Sequence, residues 1–146
     1  MQLDELYQDI ILDHYKHPHN FGEGNESFTD VELENPVCGD HIKLMIYLDE
    51  QEIVQDVKFT GSGCAISMAS ASIMTVELKG KPLKEVQKII EDVLGSMRGE
   101  KAADTLDEHG DLAALKGVMK FPVRVKCATL AWHAIKDAIA KNKQNT

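Results

Sequence analysis

Ile42-Lys43-Leu44-Met45-Ile46-Tyr47-Leu48 is the stretch whose pattern decides how this chain folds. Ile42, Leu44, Ile46 and Leu48 recur at every second position, with Lys43 and Tyr47 between them. Successive side chains of a strand point to opposite faces, so this period predicts a strand with one face in a core. Asp49-Glu50-Gln51-Glu52 turns the chain, and Ile53, Val57 and Phe59 continue as another strand. Upstream, Val31 and Leu33 alternate with Asp30, Glu32 and Glu34 until Asn35-Pro36 stops the pattern. Three strands joined by short links favour an antiparallel meander.

On either side the period changes to that of helices. Residues 3–16 place Leu3, Leu6, Tyr7, Ile10, Ile11, His14 and Tyr15 on one helical face, and 17–22 break it. After Gly61-Ser62-Gly63-Cys64 comes a small, nearly uncharged run, 65–74, which predicts a helix buried on all sides and ended by Gly80. Pro82 suits the first turn of the next helix, whose stripe is Leu83, Val86, Ile89, Ile90, Val93 and Leu94. Residues 99–110 read as loop or a short helical piece, and Asp111 as the cap of a short helix reaching Val118. Pro122 opens a last helix with Val123, Cys127, Leu130, Ala134, Ile135 and Ala138 inward, and the polar tail from Lys141 is expected to fray. The expected architecture is one α+β domain over 1–146: an N-terminal helix, a three-stranded antiparallel sheet, then several helices packed on it.

A chain of 146 residues with 43% hydrophobic and 5% aromatic residues has an aliphatic core large enough to need no staples. No apolar run approaches the roughly 18 residues that span a bilayer. The start, Met1-Gln2-Leu3-Asp4-Glu5, lacks the basic and apolar regions of a signal peptide, so a cytoplasmic protein is expected, with no membrane partner. Sixteen basic residues against 24 acidic ones leave a formal charge of -8, which argues against nucleic acid as a partner.

Three cysteines cannot all pair within one chain. Cys38 falls in the bend between the first two strands, Cys64 between the third strand and the buried helix, and Cys127 near the start of the last helix. Free buried thiols, a reactive thiol and a metal site all fit those positions, but three cysteines at element ends, two of them beside glycine, favour a shared site. In Cys38-Gly39-Asp40 the two potential ligands stand at i and i+2, so extended backbone points them the same way. Gly63-Cys64 precedes a helix, where backbone N–H groups favour thiolate. Three thiolates and a carboxylate suit tetrahedral zinc, while soft sulfur ligands exclude magnesium and calcium.

Three segments in this order, Asn35-Pro36-Val37-Cys38-Gly39-Asp40, Gly61-Ser62-Gly63-Cys64-Ala65-Ile66-Ser67 and Phe121-Pro122-Val123-Arg124-Val125-Lys126-Cys127, resemble the IscU/SufU family of iron–sulfur cluster assembly proteins. The likeness runs from Asp13-His14-Tyr15-Lys16-His17-Pro18 to about residue 140. Lys126 stands where IscU-type sequences carry histidine, Phe121-Pro122-Val123-Arg124 replaces their Leu-Pro-Pro-Val-Lys, and 95–115 contains an extra stretch. In these respects the chain is more similar to the SufU type of Gram-positive bacteria.

The resemblance implies a SufE/IscU-like fold and a zinc-dependent sulfurtransferase. Such a protein takes persulfide sulfur from a pyridoxal-phosphate cysteine desulfurase of SufS type and serves downstream cluster assembly proteins. Zinc ligands would be Cys38, Asp40, Cys64 and Cys127, with Cys38 the sulfur acceptor and Arg124 a second catalytic residue. The alternative it implies is a non-enzymatic scaffold on which iron and sulfide form a [2Fe–2S] cluster. Whether sulfur transfer here amounts to enzymatic turnover stays open. His14 and His133 read as packing residues, His17 and His19 as exposed loop. Ser67, Ser70 and Ser72 show neither a Gly-x-Ser-x-Gly elbow nor an evident base, so none is read as a nucleophile.

Overall fold

The protein is described by a computed structural model covering residues 2–36 and 39–144. α1 (Gln2–Lys16) leads to β1 (Thr29–Asn35), β2 (Asp40–Leu48) and β3 (Val54–Ser62). α2 (Ala65–Leu78) and α3 (Leu83–Met97) follow, then two 3₁₀ segments, Ala103–Glu108 and Gly110–Val118, and finally α4 (Pro122–Gln144). The three strands form an antiparallel meander in the order β1-β2-β3. Leu33 faces Ile42, Val31 faces Leu44, and Leu44 faces Phe59 across the sheet. The α+β architecture expected from the period-two and helical patterns is the one observed.

Ile42, Leu44 and Ile46 have no exposed surface and join α2 and α4 in one apolar cluster. The opposite face of β2 is not simply wet. Met45 is buried because 17–28 crosses back over it, and Met45 Sδ accepts the Gly24 N–H at 3.2 Å. Asn20 O and Phe59 O exchange hydrogen bonds with Phe59 N–H and Gly22 N–H, so this loop also shields the free edge of β3. Among the described residues no helix is long and apolar enough to cross a membrane.

Local departures from the expected boundaries have identifiable causes. Pro82 sits one residue before α3, as its N-cap, with extended backbone. Asp111 does not cap the second 3₁₀ segment but lies inside it, and its Oδ2 receives His14 Nε2–H at 2.9 Å. Val123 is 63% exposed, not inward, and His133 points to solvent. The tail continues as helix to Gln144, because Lys141 Nζ donates to Asp30 O at 2.9 Å and Thr29 Oγ1 donates to Asn142 Oδ1 at 2.9 Å. Those two bonds fasten α4 to β1.

Asp92 anchors the stretch at 95–115. It is a buried carboxylate on α3, receiving Lys101 Nζ at 2.7 Å, His109 Nε2 at 2.9 Å and Lys88 Nζ at 3.1 Å. Burial alone would raise its pKa, but these donors outweigh it and hold the carboxyl at about 2. Asp92→Ala is expected to cost about 1–2 kcal/mol in urea unfolding, because His109 loses a buried acceptor while the half-exposed lysines turn to water. The sign with pH follows from the depressed value. The contribution is complete above the unfolded value near 4 and vanishes as pH falls through about 2, so parent and variant should converge in acid. A constant gap down to pH 2 would assign the effect to packing.

Candidate metal centre

Asp40 begins β2 directly opposite Asn35, and the next pair across the sheet is His41 with Ser62. This register brings the aspartate to the chain leaving β3. Gly63 makes the approach possible: a Cβ there would overlap Asp40 Oδ1 and lie 3.0 Å from its Cγ. Gly39, at φ +74°, turns the backbone into β2 and donates its N–H to Asn35 O at 2.8 Å.

Cys64 occupies the N-cap of α2 with extended backbone. The cap comes from across the sheet. Asp40 Oδ1 accepts the Cys64 N–H at 2.9 Å, and Oδ2 accepts the Ser67 hydroxyl at 2.7 Å. Asp40 thus does from a neighbouring strand what the third helical side chain of a capping box does locally, satisfying the N–H of the N-cap residue. Cys127 reaches the same point from the second turn of α4 and is fully buried. A carboxylate oxygen of Asp40 and the sulfurs of Cys64 and Cys127 all lie within 4.8 Å of one another.

Burial pushes the Cys64 thiol up, yet its pKa ends below the ordinary thiol range. Donors around it, first the Ser67 backbone N–H and then the Cys127 thiol, stabilise the thiolate more than burial and the Asp40 charge oppose it. Asp40 is 1% exposed and, among the described residues, pairs with no lysine, arginine or histidine. A buried carboxylate beside two thiols with no cationic side chain is electrostatically incomplete, and a soft divalent cation completes it. The donor chemistry present therefore fits zinc or iron and does not fit magnesium or calcium.

Of the other residues singled out by sequence, Cys38 lies outside the described residues. Arg124 is exposed, three residues before Cys127, and lines a shallow pocket with Ala65, Ile66 and Phe121 beside Cys64. His41, the residue after Asp40, pairs with Glu32 at 3.2 Å. Sequence reasoning passed over Ser67, whose contact with Asp40 spans 27 residues and leaves no local signature. It also found no base near the serines, whereas Ser72 Oγ lies 2.8 Å from His14 Nδ1, with Asp111 behind the ring. That relay is no nucleophile site. Ser72 is fully buried and already accepts the His19 N–H at 2.8 Å, so it cross-links α1 to α2.

A β-meander with a thiol–carboxylate cluster where strand and helix ends converge defines a class of small α+β proteins built to hold a soft metal. The chain belongs to the family of the NifU-like N-terminal domain, whose profile matches residues 6–146. It is 49% identical over 144 residues to the zinc-dependent sulfurtransferase SufU of Bacillus subtilis, covering 97% of this chain and 94% of the relative. It is 41% identical over 141 residues to the iron–sulfur cluster assembly scaffold protein IscU of Streptococcus pyogenes, covering 97% and 87%. A solved structure of a putative iron–sulfur cluster assembly scaffold protein for the SUF system, from Fervidobacterium islandicum AW-1, superposes with a TM-score of 0.74. It is 30% identical and covers 90% of this chain and 95% of that one.

Proposed function

We propose that this chain is a zinc-dependent sulfur-transfer protein, accepting persulfide sulfur from a pyridoxal-phosphate cysteine desulfurase for iron–sulfur cluster assembly. The observation that carries the reading is the Asp40–Cys64–Cys127 cluster, with Asp40 and Cys127 buried and Cys64 partly so, in a chain 49% identical to a zinc-dependent sulfurtransferase. Cys38, two residues before Asp40, is the fourth ligand of the proposed site. Bound zinc keeps the ligand thiols ionised near neutral pH while restraining them as nucleophiles.

The chain's own residues supply the rest. Cys38 is the acceptor: its thiolate attacks the outer sulfur of the donor's persulfide, a new S–S bond forms on Cys38, and the donor cysteine leaves as thiolate. No net oxidation occurs. Cys64, Cys127 and Asp40 stay behind as a fixed base, because each is rooted in a different element of the core. Exposed on the turn before Cys127, Arg124 is suited to meet the departing or incoming sulfur anion.

The test is a desulfurase assay with cysteine and a SufS-type partner. The parent protein should stimulate turnover, and Cys38→Ala should abolish the stimulation while leaving circular dichroism unchanged. Arg124→Ala should reduce it about tenfold or more, the scale of one charged contact to a reacting group. Full stimulation by the Cys38 variant ends the proposal. Metal content separates the scaffold reading, which the 41% identity to IscU of Streptococcus pyogenes favours: one colourless zinc per chain supports transfer, brown iron-bearing protein supports the scaffold.

A further inference from the structure

Ser67 is fully buried one turn into α2, and its hydroxyl has two neighbours, Asp40 Oδ2 at 2.7 Å and Cys64 Sγ at 3.6 Å. A serine carries one O–H proton, and the shorter contact takes it. The carboxylate torsion of an aspartate is broad and soft, so one hydrogen bond leaves the group free to turn. The Cys64 N–H on Oδ1 and the Ser67 hydroxyl on Oδ2 pin both oxygens at once. Each oxygen keeps a lone pair for a further partner. The buried neighbour Ser70 is different: it donates to Ala128 O at 2.6 Å and receives Trp132 Nε1–H at 3.0 Å, and neither bond goes to a side chain of the cluster.

We infer that Ser67 is a positioning residue of the metal centre, fixing the Asp40 carboxylate against Cys64 and Cys127 and thereby setting how tightly the metal is held. The inference rests on the metal-site reading above and adds a residue to it. Hydrogen-bond partners behind a ligand commonly govern metal affinity by about 10–100-fold. Ser67 can act only through Asp40 and Cys64, because in its buried place it meets no substrate.

The test titrates zinc and cobalt into the parent, Ser67→Ala, Ser67→Thr and Ser70→Ala proteins against a chromophoric chelator, and records cobalt absorption bands. Ser67→Ala should weaken both metals about tenfold or more and shift the cobalt bands, since ligand orientation changes. Ser67→Thr, which keeps the hydroxyl, should bind within about threefold of the parent by the same argument. Ser70→Ala should lower thermal stability and leave affinity and spectrum alone. Affinity of Ser67→Ala within twofold of the parent, or a threonine variant as weak as alanine, overturns the inference, and should alanine fail to fold the threonine arm alone decides it. A parent protein that takes up neither metal overturns the metal reading itself, and this inference with it.

Discussion

Cys127→Ala should yield a folded protein that purifies nearly free of zinc. Cys127 is the only cysteine on α4, so its loss cuts the link between α4 and the Asp40–Cys64 pair. The remaining pair holds together without help, because Asp40 caps α2 through the Cys64 N–H and Ser67. Removing one sulfur from a fully buried position leaves a small void and costs about 1 kcal/mol, far too little to unfold the domain. Losing a direct ligand should weaken the metal more than the outer-partner range, by over about 100-fold. Metal analysis after gel filtration, with circular dichroism on the same sample, reads both halves. One full zinc equivalent in the folded variant would remove α4 from the proposed coordination.

The largest loss of stability is expected from Trp132→Ala. Trp132 is the largest fully buried side chain, at the point where α4 crosses α2. Its ring fills the core and its Nε1–H donates to Ser70 Oγ, satisfying the one polar atom it carries inside. Truncation removes that volume and takes away the donor to the Ser70 oxygen, which keeps its own bond to Ala128 O, so about 3–5 kcal/mol is expected. A domain of this size loses roughly 3 °C per kcal/mol, which puts the melting point about 9–15 °C lower. Trp132→Phe separates the two components: it keeps most of the volume and should forfeit only about 1 kcal/mol with the hydrogen bond. Chemical and thermal unfolding of both variants checks the order, and an alanine variant within 1 kcal/mol of the parent would show that α4 repacks freely.

How much of this was legible in the residues depends on the range of the interaction. The period-two run at 42–48 and the helical stripe at 83–94 gave the sheet and α3 at once, because such patterns record burial of neighbours only a few positions apart. Val123 misled for the same reason. Its apolar side chain matched the inward period of α4, but the first turn of that helix projects beyond the core and leaves it exposed. Asp111 looked like a cap because serine, aspartate and their kind usually serve locally. A histidine 97 residues away claimed it instead.

The candidate site divides along the same line. Residue types at element ends were enough to select Cys38, Asp40, Cys64 and Cys127, since thiols and a carboxylate beside glycine turns advertise soft-metal chemistry by composition alone. Tertiary structure alone decided that three of these meet, that Asp40 caps a helix it does not belong to, and that Ser67 rather than Ser70 stands behind it. The physical reason is that a strand or helix is written in contacts between near neighbours, whereas this thiol–carboxylate cluster is made by packing residues 24 to 87 positions apart, and no local period carries that distance.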